Sequence, residues 1–433
     1  MGKRWSGLGG WITERAPGMA PMYRKHMSEY YAPKNFNFMY FFGSLAMLVL
    51  VNQILTGIFL AMFYKPSAEA VYPGVSEAFA SVEYIMRDVD WGWLIRYMHT
   101  TGASMFFVVV YLHMFRGLMY GSYKKPRELV WLLGMLIFLA LMAEAFMGYV
   151  LPWGNMSFWG AKVIISLFGA IPYVGDTLVQ WIMGDYLPSG ATLNRFFSLH
   201  VIALPLVLLL LVVLHLAALH EVGSNNPDGV DIKKVKNVEG KPVDGIPFHP
   251  YYTVKDLFGV GMFLIICAFI IFYQPTMGGW FLEHDNFIPA NNLVTPEHIK
   301  PVWYFTPFYA ILRMIPAKLP GVLTMFAAIV VLFLTPWIDR GQVRSVRYRG
   351  TGFKAALVVL VIAFLSLGLV GAGVTTELIP ALLGPSADVT LWENLFGRIM
   401  TLAYFGFFIF LWVYTYFGFE KTKPVPERVT MHD

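Results

Sequence analysis

Eight stretches of this chain are apolar for long enough to cross a membrane: 38–63, 94–120, 130–151, 196–219, 257–273, 322–338, 355–374 and 397–419. A hydrocarbon core of about 30 Å takes about 20 helical residues to span, so the runs at 257–273 and 322–338 sit at the short limit. With no water to bond to, the backbone in such runs must satisfy its own N–H and C=O groups, which a helix does within one segment. The pattern predicts an all-α polytopic membrane protein with eight transmembrane helices. The polar stretches divide it further. Residues 1–37 mix Trp11, Ile12, Met19, Met22 and Tyr23 with basic residues, which suits an interfacial amphipathic helix or a basic tail equally. Residues 160–186 are too broken by Gly and Pro to span and suggest helices lying along the surface. Residues 221–256 form a polar loop whose 230–247 portion reads as solvated, without a core of its own. A long loop, 274–320, interrupts the C-terminal region 257–420, and 421–433 is a polar tail. The interiors of the last three runs carry almost no ionisable residue, for which lipid-facing packing is a sufficient reading. No apolar core with a small-residue cleavage site precedes the first run, so no signal peptide is expected.

Composition agrees: 57% of the 433 residues are hydrophobic and 14% charged, and mean hydropathy is +0.58, which excludes a soluble globular domain. A pI near 9.0 would suit a nucleic-acid partner, but the basic residues sort by topology instead. Of the 32 Lys and Arg, 22 fall in residues 1–37, in alternate loops (Lys124 to Arg127, Lys233 to Lys255, Arg340 to Lys354) and in the tail. Basic loops stay cytoplasmic, so both termini are expected on the cytoplasmic, negative side.

Ionisable residues inside apolar runs are costly and mark function by default. The second run holds His99 and His113, fourteen residues apart, with Arg96 and Arg116 each three residues further toward a surface. At about 1.5 Å and 100° per residue the two histidines share one face, roughly 21 Å apart. The fourth run holds His200 and His215, fifteen apart. Two helices with two histidines each make two bis-imidazole sites, the ligand set of haem iron; histidines hydrogen-bonded to neighbours are the plain alternative. Cys267 is the only cysteine, which excludes covalent c-type attachment, so the haems would be b-type. Gly43 and Gly57 in the first run, and Gly134 and Gly148 in the third, repeat the fourteen-residue spacing. A glycine lets a flat macrocycle approach the helix backbone. The expected geometry, within residues 38–220, is a four-helix bundle of two ligating helices and two presenting glycine flats.

The loops carry further motifs. Gly148-Tyr149-Val150-Leu151-Pro152-Trp153-Gly154 to Gly160 follows the third run, as a pocket roof or an aromatic interfacial connector. His220, Ser224, Lys255 and Asp256 flank the 221–256 loop, and Pro301-Val302-Trp303-Tyr304 with Tyr309 lies in the long loop. With these in order over roughly residues 30–420, the chain resembles cytochrome b of the bacterial respiratory cytochrome bc complex (complex III).

The resemblance implies a quinol–cytochrome-c reductase subunit of the bacterial inner membrane that oxidises quinol on the positive side and reduces quinone on the negative side, in a proton-translocating Q cycle. It implies two non-covalent haem b groups, the low-potential one on His99 and His200 and the high-potential one on His113 and His215, with Arg96 and Arg116 facing propionates. The implied substrate is ubiquinol/ubiquinone. The implied partners are a Rieske-type iron–sulfur protein, a membrane-anchored c-type cytochrome, membrane lipids and a second copy of the complex. Gly148, Gly154, Pro301, Val302, Trp303, Tyr304 and Tyr309 would form the quinol-oxidation site, and His220, Ser224, Lys255 and Asp256 the quinone-reduction site.

Three departures stand out. The family's Pro-Glu-Trp-Tyr is Pro301-Val302-Trp303-Tyr304 here, so the acidic proton acceptor is missing. The second histidine pair is fifteen apart rather than fourteen, a phase shift that a bend at Pro205 would absorb in part. The linker from Met314 to Pro320 is short. For the missing acceptor the expectation is Glu144, on the face of Gly148 four residues away, with Glu297 on the loop second. A di-haem anchor for a dehydrogenase would explain the histidines but not the loops at 148–160 and 301–313. A transporter would call for broken helices and repeated halves, which are not evident.

Overall fold

The computed structural model describes residues 7–430, so Lys3, Arg4 and the last three residues of the tail lie outside the described residues. Among the described residues, eight helices have membrane length and apolarity: Phe38–Ala61, Gly92–Tyr120, Glu128–Val150, Gly190–Val222, Phe248–Tyr273, Lys318–Ile338, Thr351–Gly371 and Val389–Tyr416. All eight predicted runs are helical, and the two short ones gain a turn or more at their N-termini. The second helix ends where Gly121 takes a left-handed conformation (φ 62°), at a spot where a Cβ would lie 2.7 Å from the Arg344 carbonyl oxygen.

The second helix is the centre of the fold. Half of its most apolar window is buried, against 6% for the fourth helix, which turns its leucines and valines outward. The first helix packs along the second and the third along the fourth, while the fifth leans on the first two. The sixth, seventh and eighth helices form the other half around the short helix Thr306–Arg313. Polar side chains tie helices across the apolar core: Trp131 Nε1 donates to Leu332 O (2.8 Å) and Tyr404 Oη to Ala328 O (2.8 Å). Bonds of this kind average roughly 0.6 kcal/mol in membrane bundles, so they set register more than they set stability.

Four expectations need correction. The 301–313 stretch is not a free loop: Val302 to Phe305 turn inward and Thr306–Arg313 is a helix with Pro307, Phe308, Ala310 and Ile311 buried. The sixth to eighth helices therefore pack this helix as well as facing lipid. Trp153 and Trp159 are 5% and 3% exposed, so they are core residues of a cap formed by helix Asn155–Leu167, and not an interfacial belt. The 230–247 stretch is anchored: Gly245–Pro247 pairs antiparallel with Tyr31–Pro33, and Val230 and Ile232 bury against Val429 of the tail. The N-terminal segment, with short helices Leu8–Arg15 and Met19–Tyr23, thus ends in a strand pair with that loop.

The basic loops converge on one face. There Arg349, with a side chain 0% exposed, bonds both Asp339 and Glu420, and Lys124 meets Asp339 at 2.8 Å. Burial works to raise the Asp339 carboxyl, but the cations Lys124 and Arg349 outweigh it and hold it below the usual carboxylate range.

Candidate functional site: two histidine pairs and two polar clusters

The four membrane histidines meet in the two predicted pairs. His99 and His200 have ring centroids 6.2 Å apart, and His113 and His215 have theirs 6.4 Å apart. A metal between two imidazoles, with bonds of about 2 Å to each nitrogen, puts the ring centres roughly 6 Å apart, so both pairs fit an iron. The fourth helix reaches this register with fifteen residues because Leu199–Ala203 is a π-helical turn, closed by Leu204 N–H on Leu199 O. One such turn inserts one residue while the helix keeps its direction. The turn closes just before Pro205, which has no N–H to continue α-type bonding. Insertion, more than a bend, absorbs the offset.

Each histidine faces one of the four glycines. A Cβ on Gly43 would lie 3.4 Å from His113 Cε1, one on Gly57 3.3 Å from His99 Cε1, and one on Gly134 3.3 Å from His215 Cε1. A Cβ on Gly148 would run into the His200 ring. The missing side chains on the two glycine-bearing helices therefore let the imidazoles come close to the helix backbone. Arg116 donates Nη2 to His113 Nδ1 (3.1 Å) and keeps its Nε buried without a partner, a donor free for an anionic group. The donor set, the spacing and the glycine flats all fit two haems.

Second contacts orient the rings. Thr56 Oγ1 lies 2.8 Å from His99 Nδ1, and Gln53 Nε2 donates to His99 O. His200 Nδ1 lies 3.0 Å from Glu144 O and 3.1 Å from Glu144 Oε1. A metal-ligating histidine characteristically gives its other N–H to a carboxylate or carbonyl, and Glu144 holds that place behind His200. Glu297 is exposed on the loop between the fifth and sixth helices. The carboxylate that does meet the Gly148 corner is Glu283, which accepts a hydrogen bond from Tyr149 Oη while 7% exposed. Burial pushes the Glu283 carboxyl up to about 7, against the smaller opposing pull of Tyr149 and Lys300. Sequence reasoning passed over it because it stands eighteen residues before Pro301 in a loop with no periodicity.

The 301–304 turn closes over this corner. Tyr304 stacks on Phe107 with centroids 3.9 Å apart, its carbonyl accepts Tyr111 Oη, and Trp303 Nε1 donates to Ser104 Oγ (3.2 Å). Val302 is buried, Pro301 half-buried, and Tyr309 Oη donates to Ile299 O. Gly154 does not face open space: Asn286 fills the position of its Cβ and bonds Ser157.

On the basic face, His220 meets the Tyr30 ring edge-on at 4.6 Å, and Tyr30 Oη lies 2.9 Å from Ser224 Oγ. Asp256 Oδ2 accepts Ser44 Oγ (2.6 Å) and Lys255 Nζ donates to Phe36 O (2.9 Å). Tyr30 and Ser44 carry no sequence signal; Tyr30 reaches its partners because the N-terminal segment folds under the fourth helix, and Ser44 because the first helix packs against the fifth.

Profiles of two consecutive parts of one family match this chain, "Cytochrome b/b6/petB" over residues 27–223 and "Cytochrome b(C-terminal)/b6/petD" over residues 289–391. The chain belongs to the cytochrome b family. It is 56% identical over 428 residues to cytochrome b of Allochromatium vinosum, covering 97% of both proteins. It is 46% identical over 420 residues to a "Cytochrome b/c1" of Bradyrhizobium diazoefficiens, where it covers 56% of that longer protein. A chain of the structure titled "Hyperthermophilic respiratory Complex III" superposes with a TM-score of 0.82 at 37% identity, covering 94% of this chain and 98% of that one. This cytochrome b is therefore the multi-pass, catalytic di-haem subunit of a quinol:cytochrome c oxidoreductase, mediating quinol oxidation and quinone reduction in a bacterial respiratory membrane.

Proposed function

We propose that the first four membrane helices form the haem bundle, with both termini cytoplasmic. In this reading His99 and His200 hold the low-potential haem b, His113 and His215 hold the high-potential one, and Arg96 and Arg116 meet propionates. The observation that carries it is the one-to-one facing of Gly57, Gly148, Gly43 and Gly134 with those four histidines. The haems, when bound, supply one-electron transfer between the two faces of the membrane. Extractable haem per chain tests the assignment: two in the wild type and one in His113→Asn, whereas two full haems in that variant would overturn it.

On the positive side, Gly148, Tyr149, Tyr304 and the 301–303 turn hold quinol, with Tyr309 bracing the loop. Glu283 takes the hydroxyl proton that a glutamate at position 302 would have taken. Its carboxyl is already poised near neutral pH, where a proton acceptor works best, and the Tyr149 hydroxyl fixes its orientation. Glu144 orients His200 and Glu297 stays in water. Gly154 acts on this site through Asn286, whose loop any side chain at 154 would displace.

On the negative side, His220 and Asp256 bond the two carbonyls of quinone and deliver protons from the cytoplasm, with Ser224 beside His220 and Ser44 aiming Asp256. Lys255, exposed at the rim, balances the carboxylate. A Rieske-type iron–sulfur protein and a membrane-anchored c-type cytochrome are the electron acceptors beyond the chain, and two copies of the complex pair within the lipid. The B. diazoefficiens name, which joins b to c1, supports the second of these partners. Ubiquinone is the quinone in this reading.

A further inference from the structure

The described end of the chain does not trail into water. Glu420 is bonded by Arg349, and Lys423 N–H donates to Tyr348 O. Arg428 then donates Nη2 to Asp244 Oδ1 (2.8 Å) and Nε to both oxygens (3.2 Å each), and Val429 N–H reaches Asp244 Oδ2 (3.2 Å). Thr430 gives both its N–H and its Oγ1 to Asp228 Oδ2, each at 2.8 Å. Val429 buries its side chain against Val230 and Ile232.

Both carboxylates are shared with the N-terminal segment. Asp244 meets Lys34 Nζ at 3.1 Å, and Asp228 Oδ2 accepts Asn35 Nδ2 at 2.9 Å. Residues 34 and 35 lie between Tyr30, which touches His220 and Ser224, and Phe36, whose carbonyl holds Lys255. The side chains of Asp228 and Asp244 are 0% and 3% exposed, so each is a fixed post and not a surface charge. Tail and segment are clamped to the same two posts.

We propose that residues 428–430 are a positioning strap for the quinone-reduction site, keeping Tyr30 against His220 and Ser224 and Phe36 against Lys255. The proposal rests on the reading of His220, Ser224 and Asp256 as that site. The posts keep other partners when the strap goes, since Arg347 and Tyr348 also bond Asp228 and Lys34 remains on Asp244. Losing the strap therefore loosens the segment without unfolding the face.

The test uses the assembled complex carrying a chain that ends at Glu427, with Arg428→Ala as the milder variant should the shortened chain fail to assemble. The expected result is a three- to tenfold rise in KM for negative-side quinone at little changed kcat, and faster amide exchange over residues 29–36. Quinol-driven haem reduction from the positive side stays at the wild-type rate, and Arg428→Lys restores the KM of Arg428→Ala. Unchanged KM and exchange, or equal slowing of both half-reactions, overturns the strap. Asp256→Asn, measured alongside, separates the two readings. If it slows quinone reduction while the strap variants do not, only the strap falls. If it leaves quinone reduction at the wild-type rate, the site reading falls and the strap with it.

Discussion

The Glu283 carboxylate accepts the Tyr149 hydroxyl, so a loop between the fifth and sixth helices is bonded to the end of the third at the edge of the Gly148 corner. That bond places a buried acid beside Tyr304, where position 302 offers only valine.

Glu283→Gln is expected to slow quinol oxidation about 100-fold, the low end of what a positioned proton acceptor contributes, with both haems retained. The wild-type carboxyl is pushed up to about 7, so its proton-accepting form is lost as pH falls through 7. The rate should therefore rise with pH across that point in the wild type, and this limb should vanish in the variant. Val302→Glu in the Glu283→Gln background should recover part of the rate. Wild-type rate and pH profile in Glu283→Gln would exclude it as acceptor.

Glu144→Gln should leave the pH limb in place and act on the low-potential haem instead. Weakening the carboxylate behind His200 lowers the basicity of that imidazole, which favours ferrous over ferric iron and moves the midpoint upward. A tenfold change in relative affinity is about 59 mV for one electron. A redox titration with no shift, joined to a lost pH limb, would return Glu144 to the proton route.

The glycines should rank by the room each has. Alanine at Gly148 collides with the His200 ring and should by itself cost haem, whereas alanine at Gly57 or Gly134 needs only a few tenths of an ångström of give. Valine at Gly57 should reduce extractable haem from two per chain to one. Equal tolerance of alanine at Gly148 and Gly57 would contradict this ranking.

Ser44→Ala should slow quinone reduction in the direction of Asp256→Asn but less, because the carboxylate loses its 2.6 Å donor and keeps its charge. A removed hydrogen bond to a charged group costs about 1.5–3 kcal/mol, which corresponds to roughly ten- to 100-fold. Positive-side haem reduction, followed in stopped flow, should be unaffected in both variants.

The strap should open only in acid. Burial works to raise Asp228 and Asp244. Against it stand hydrogen bonds from Thr430, Arg347 and Tyr348 to Asp228, and from Arg428, Lys34 and Val429 N–H to Asp244, and these hold both below the usual carboxylate range. Carboxyls depressed below an unfolded value of about 3.9 contribute stability above that pH and lose it as pH falls through the folded value. Spin labels at exposed positions 238 and 427 should keep one distance from pH 9 to 5, with broadening only below about pH 4. Broadening near neutral pH would refute this account.

The eight membrane helices, the histidine pairs and the glycine spacing were legible because each is a local period: a helix repeats its faces every 3.6 residues, and lipid leaves the backbone no alternative. Even the fifteen-residue spacing on the fourth helix was visible as a misfit, although the π turn that resolves it depends on backbone bonding around Leu199 to Leu204. What the sequence could not determine lies where distant segments meet without a period. Glu144 shares a helix face with Gly148, as spacing requires, but only packing against the fourth helix decides that this face points at His200. Glu283, Tyr30 and Ser44 acquire their partners across 134, 194 and 212 residues of chain. The 230–247 loop reads as solvated because it has no core alone, and the 421–433 tail reads only as polar. Together, Val429, Val230 and Ile232 bury one another over two shared carboxylates, a core that exists only once the tertiary structure brings its two segments to one face.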